Sequence, residues 1–259
     1  MALLSWRRSM FGVVQLMSPP DHHFLDDMEQ GAGGGKEWSK RVQKEWKILR
    51  DNLPDTIYVR AFEDRMDLLR AAMVGAAGTP YQDGLFFFDV RLPPASYPRS
   101  RRSVNPNLDN SGTVLVLTAQ PYYNEARYEE TLGTPGGARD VLPYAENAYV
   151  LALRTMLHLL RRPPAGFEAL VWGHFRRRGR FVLRACEAYL MQGCPVGTLD
   201  ADACATAESG DRRPCSAGLR LALAGVVPRL IEAFTEIGAD GFEEFDRLRL
   251  QLGGGGVPR

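Results

Sequence analysis

The chain has 259 residues. At about 150 residues per domain, that is room for one domain, or one with an appended segment. Hydrophobic residues at 45% and charged residues at 24% exclude wholesale disorder. A formal net charge of +1 argues against a nucleic-acid binder held by global charge.

No apolar run approaches the ~20 residues that span a bilayer. The stretch MFGVVQLM at 10–17 is short, follows Arg7 and Arg8, and lacks a small-residue cleavage site, so no signal peptide is expected. Of the 32 basic residues 28 are Arg, and the only lysines are Lys36, Lys40, Lys44 and Lys47. The four cysteines, Cys186, Cys194, Cys204 and Cys215, form no CxxC pair, and reduced thiols in the cytoplasm or nucleus are the expectation.

Residues 1–36 show no sustained periodicity and end in QGAGGGK, which reads as a loose arm. Trp38, Val42, Trp46, Leu49 and Leu53 then follow at spacings of 4, 4, 3 and 4, one face of an amphipathic helix closed by Pro54. Its opposite face carries Lys40, Arg41, Lys44, Lys47 and Arg50. TIYVRAF (56–62), MDLLRAAMVG (66–75) and LFFFDVRLP (85–93) read as three short strands, the last two separated by the turn GTPYQDG. One helix followed by three strands implies an antiparallel meander with helices on one face, an α+β arrangement.

Residues 93–113 are almost all loop formers, VLVLT (114–118) is one short apolar run, and GTPGGARD reads as another loop. A helix follows, with a buried stripe of Tyr149, Leu153, Met156, Leu159 and Leu160. Residues 167–193 read as helical with a break or kink at Gly179, and 194–216 as a polar linker. Leu223, Val226, Leu230 and Phe234 have helical spacing, but Pro228 is expected to end or kink that helix. The chain thus divides into an arm (1–36), a core (37–193), a linker (194–216), a helical segment (217–250) and a tail (251–259).

Isolated motifs are weak. GAGGGKE at 31–37 lacks the first glycine and the Ser/Thr of a phosphate loop and reads as a linker. His22, His23, His158 and His174 have neither HExxH nor zinc-finger spacing, and His22–His23 reads as a solvated loop. The groups Arg99/Arg101/Arg102 and Arg176/Arg177/Arg178/Arg180 suit phosphate in principle, but the second lies on a helix whose other face must be buried, and a solvated face is the simpler reading.

The order of segments is more specific. GTPYQDGLFFFDVRLPPASYP followed by NPNLDNSGTV resembles the signature of the ubiquitin-conjugating enzymes. Within that family the chain is most similar to the large plant phosphate-homeostasis type and the related hybrid conjugase–ligases. DHHF, KEWKILRDNLPDTIYVRAFEDRMDLLRA, PYYNEARYEE, HFRRRGRFVLRACEAYL and LALAGVVPRLIEAFTEIGAD carry the likeness over roughly 21–246.

The resemblance implies a ubiquitin-conjugating-like α+β fold in residues 37–193: an N-terminal helix, an antiparallel meander sheet and C-terminal helices. It also implies transthiolation, in which a cysteine accepts ubiquitin as a thioester and passes it to a lysine. Asn107, in the NPN motif, takes the place of the family's oxyanion-supporting asparagine. The nucleophile position, eight residues on, is Leu115. VLVLTAQPYYNEA runs from the NPN motif straight into a later segment, so the fold is expected to be incomplete around the active site. Cys186 reads as a packed small hydrophobe, and the other cysteines as linker thiols without a basic surround.

The implied partners are ubiquitin, its activating enzyme and a ligase or target protein, with no nucleic acid and no membrane span. Lys40, Arg41, Lys44 and Lys47 would form the activating-enzyme contact or a merely solvated face. No metal and no cofactor is expected, ATP entering only through the activating enzyme. Three readings stay open: a conjugating enzyme despite the gap, a catalytically dead binding variant, and a poorly folding splice or gene-model product.

Overall fold

The computed structural model describes residues 10–14, 17–25, 35–92, 117–124, 127–205, 213–245 and 248. They fall into two compact units, one of residues 1–74 with 85–108 and one of 75–84 with 109–259.

Among the described residues the first unit holds a four-stranded sheet and one helix. Strands β1 (Phe11–Val14), β2 (Ile57–Phe62), β3 (Leu68–Val74) and β4 (Leu85–Arg91) lie in chain order. β2–β3 and β3–β4 are antiparallel, with Ile57 opposite Met73 and Leu68 opposite Arg91, so the expected meander is present. β1 pairs parallel to β2, Phe11 opposite Val59. The segment read as a loose arm therefore contributes a strand. Its four residues are too few to show periodicity, and their order comes from long-range pairing that no local pattern reveals.

Helix α1 (Lys36–Asn52) buries Trp38, Val42 and Trp46, the face its spacing predicted. These three pack with Phe11, Val59, Ala61, Leu69 and Ala71 into one core between helix and sheet. Fully burying side chains of this size is worth about 1.5–3 kcal/mol each, which is what holds a helix that starts without a side-chain cap.

The second unit is helical. α2 (Pro135–Arg161) begins inside the stretch read as a loop. Thr134 accepts a hydrogen bond from the Gly137 N–H, and Pro135 occupies the first turn, where a missing N–H costs nothing. α3 (Glu168–Met191) runs unbroken through Gly179, and α4 (Ala217–Glu236) continues through Pro228. Neither helix ends at the residue that the sequence suggested, because tertiary packing outweighs local propensity. At Gly179 the missing side chain is a space requirement: a Cβ there would stand 3.2 Å from the Phe234 ring. Residues 194–205, read as polar linker, bury Cys194, Val196, Leu199 and Ala203 and close a Leu199–Ala205 bridge. Among the described residues no helix is long and apolar enough to cross a membrane.

Candidate functional site

Asn107 and Leu115 both lie outside the described residues, as do Arg99, Arg101 and Arg102. The other predicted residues are brought together: Lys40, Arg41, Lys44 and Lys47 are all exposed on the solvent side of α1, opposite its buried tryptophans. Lys40 lies 3.5 Å from Glu37 in an exposed pair one turn apart. Such pairs are screened and weak, so the lysine's charge remains available to a partner.

On the same unit the DHHF segment is no solvated loop. His22 is 3% exposed, its Nε2–H donating to the Leu69 carbonyl at 3.1 Å and its Nδ1 accepting from the Phe24 N–H. Both ring nitrogens are thus used within the protein, which leaves none for a metal. Beside it the buried Arg70 donates to Asp89 at 2.6 and 3.0 Å and to Asp21 at 3.0 Å. Burial alone would raise the Asp89 carboxyl, but hydrogen bonds from Arg70 and from the His23 N–H hold it below the usual carboxylate range. Residues 21–23 are by these bonds fastened to β3 and β4.

In the second unit the GTPYQDG turn is clamped. Gly75 sits so close to the Tyr81 carbonyl that no side chain fits there. Thr79 Oγ1 donates to the Ala76 carbonyl, and Gln82 Nε2 to the Asp200 carbonyl at 2.7 Å. Asp83 has φ +62° and is nearly inaccessible. Arg178 donates to its carboxylate at 2.7 Å, and His174 Nε2–H donates to its backbone carbonyl at 2.8 Å. Burial raises Asp83 against the pull of Arg178, and burial lowers His174 to about 4, so that imidazole is neutral at physiological pH. Sequence reasoning missed this cluster because its members are 91 and 95 residues apart. The only available signal was that GTPYQDG and HFRRRG both belong to the resemblance.

The four free cysteines are the candidates for a substitute nucleophile. Cys186 is fully enclosed, 3.1 Å from the Tyr149 hydroxyl, and burial pushes its thiol up to about 12. A thiolate does not form there at neutral pH. Cys194 is buried within a packed segment, not in a linker as read. Cys204 is exposed, with the Asp202 carbonyl 3.8 Å from its sulfur. Cys215 corrects a second reading: it does have a basic neighbour, Arg220, whose guanidinium is 4.0 Å from Sγ. Among the described residues no His, Cys, Asp and Glu group is arranged to hold a metal ion.

Comparison with known proteins fits this architecture. The family model for ubiquitin-conjugating enzyme matches residues 41–124, from α1 through the sheet to the short helix at Pro121–Asn124. A probable ubiquitin-conjugating enzyme E2 23 of Arabidopsis thaliana is 43% identical over 95% of this chain and 25% of its own length. A putative ubiquitin-conjugating enzyme E2 38 of the same plant is 36% identical over 86% of this chain and 80% of its own length. The human dual E2 ubiquitin-conjugating enzyme/E3 ubiquitin-protein ligase BIRC6 is 28% identical over 59% of this chain and 4% of its own length. The chain thus spans about a quarter of the length of the first of these relatives. The first alignment occupies 291 positions although the chain has 259 residues, so at least 32 of those positions have no residue here. The chain belongs to the ubiquitin-conjugating enzyme family.

Proposed function

We propose that this chain is a family member that binds components of ubiquitin conjugation without itself carrying ubiquitin as a thioester. The observation that carries the reading is Leu115 at the nucleophile position, eight residues after Asn107. A leucine has no electron pair to offer a thioester carbonyl, and no environment can supply one. The sequence itself runs from the NPN motif straight into a later segment, which supports a deletion around it, and the burial of Cys186 removes one substitute. An oxyanion donor such as Asn107 contributes nothing without an attacked thioester. The chain needs no cofactor of its own in this reading, and its compartment is the cytoplasm or nucleus.

Incubation with activating enzyme, ubiquitin and ATP, resolved on a non-reducing gel, should give no thiol-sensitive adduct. An adduct that reducing agent abolishes would overturn the reading, and single replacement of the four cysteines would locate the nucleophile, with Cys215 beside Arg220 the first to change. Cysteine at position 115 alone should not restore transfer, since the segment that shapes the site is missing with it.

The exposed cations of α1 are the part of the family's machinery we assign to the activating enzyme. Reversing the charge of Lys40 and Lys44 should weaken measured activating-enzyme affinity. Unchanged affinity would leave that face a solvated one.

A further inference from the structure

The helical unit carries a groove of about 720 Å³ between the second half of α2 and the first half of α4. Its charge is one-sided. Arg154, His158, Arg161, Arg162 and Arg229 line it, and among the described residues no carboxylate does. All five are exposed, and among the described residues none has a carboxylate partner. This is unusual within a chain of net charge +1, where Arg70, Arg178 and Arg180 are all ion-paired.

The spacing gives the groove a direction. Arg154, His158 and Arg161 stand at i, i+4 and i+7 on α2, one line along that helix. The facing wall, on α4, is Gly218, Ala222 and Gly225 at the same spacing, and a Cβ at Gly225 would meet nothing within 4 Å. The floor is apolar, from Leu157 and Val226, and Leu221 stands 77% exposed at the rim. A wall of small residues admits the close approach of another backbone. The row of two guanidinium groups with an imidazole N–H donor between them fits carboxylates repeated once per turn, and Leu221 fits an apolar side chain between them.

From this complementarity we infer that the groove docks an acidic amphipathic helix of a partner protein, with carboxylates at i, i+4 and i+7 facing α2 and an apolar residue against Leu221. A polyanion such as single-stranded nucleic acid would use the same arginines but has no use for the leucine or the small-residue wall. The inference is independent of ubiquitin transfer: it concerns a surface away from residues 105–115 in sequence, and its test reads no thioester.

The test uses the full chain and two labelled helical peptides, one with Glu at i, i+4 and i+7 and Leu at i+3, the other with Gln for each Glu. Fluorescence anisotropy at 50 mM NaCl should show saturable binding of the Glu peptide, at least tenfold weaker binding of the Gln peptide, and weakening as salt rises. Arg154→Glu with Arg161→Glu, and separately Gly225→Leu to fill the groove, should each cost at least tenfold. Leu221→Ala, whose side chain is too exposed to matter for folding, should cost several-fold. Arg139→Glu, an exposed arginine at the other end of α2, should change nothing, and thermal melts confirm that each variant folds. The inference is overturned if Arg139→Glu weakens binding as much as the groove reversals, or if the Glu peptide does not bind. It is equally overturned if a 20-nucleotide single strand binds as tightly while Leu221→Ala has no effect, which makes the groove a polyanion site.

Discussion

Helices α2 and α3 each carry a run of arginines, and the structure uses the two runs in opposite ways. On α3, Arg178 reaches the enclosed Asp83, Arg176 donates to the Ile237 carbonyl, and Arg180 pairs with Glu244 at 2.8 Å. On α2, Arg154, Arg161 and Arg162 line an open groove with no carboxylate opposite them among the described residues. The α3 run looked like a solvated face in the sequence, and no motif singled out the α2 arginines. What separates the two is the location of the acids, which lie 95 residues away for Arg178 and 64 for Arg180. A run of charge acquires a structural or a recognition role only from its distant partners.

The largest effect that would test this division is on stability. Arg178→Ala strands the buried Asp83 carboxylate and should cost about 3 kcal/mol, the lower part of the range for breaking a buried pair, because the guanidinium is itself partly exposed. Arg161→Ala should stay within about 0.5 kcal/mol, as exposed substitutions do. Urea unfolding at pH 7 measures both. Equal losses would mean that the α2 arginines are structural after all.

Next in size is a pH dependence belonging to the α3 cluster. His174 has its folded pKa lowered by burial to about 4, below the ordinary 6.5. Between those values the unfolded chain binds the extra proton, so stability rises with pH and is lost as pH falls. From pH 7 to pH 5 the loss from this one group is about 2 kcal/mol. Asp83, raised by burial, contributes the opposite slope above its ordinary 3.8, so the histidine is read from the difference between the native chain and a His174 variant. Replacing His174 with Gln, whose amide N–H can still reach the Asp83 carbonyl, should remove the slope. A slope that survives His174→Gln would assign the dependence elsewhere.

Legibility followed the range of the forces involved. The face of α1 was readable because Trp38, Val42 and Trp46 repeat within a few turns, and the three antiparallel strands because each is bounded by its own turn residues. β1 was not readable, since four residues become a strand only by pairing with β2. The helix start at Pro135 was obscured by GTPGGARD, where proline and glycine suggest a loop but Thr134 and Pro135 form a helix entrance. For the candidate site, the α1 cations were visible as a periodic face, whereas the His22, Arg70 and Asp83 ties were hidden. They join residues tens of positions apart, and nothing in a single segment announces its partner.

The smallest effect contrasts two helical glycines and bears on why one helix seam is closed and the other open. At Gly179 on α3 an added Cβ would stand 3.2 Å from the ring of Phe234. That ring is fully buried and held between Phe175 and Phe242, with centroids 6.0 and 5.9 Å away, so it has little room to yield. Gly179→Ala gains up to about 1 kcal/mol of helix propensity but meets an overpacking cost of about 1–3 kcal/mol. The net should be a loss of about 1 kcal/mol. At Gly225 on α4 there is nothing within 4 Å, so the propensity gain stands alone. Gly225→Ala should stabilise by about 0.5–1 kcal/mol, raising the unfolding midpoint. Opposite signs for the same substitution would confirm that α3 is packed to contact along its seam while the α4 wall is left open. A loss at Gly225 would show that something already fills the groove in the free protein, and the acidic helix would then have no room to enter.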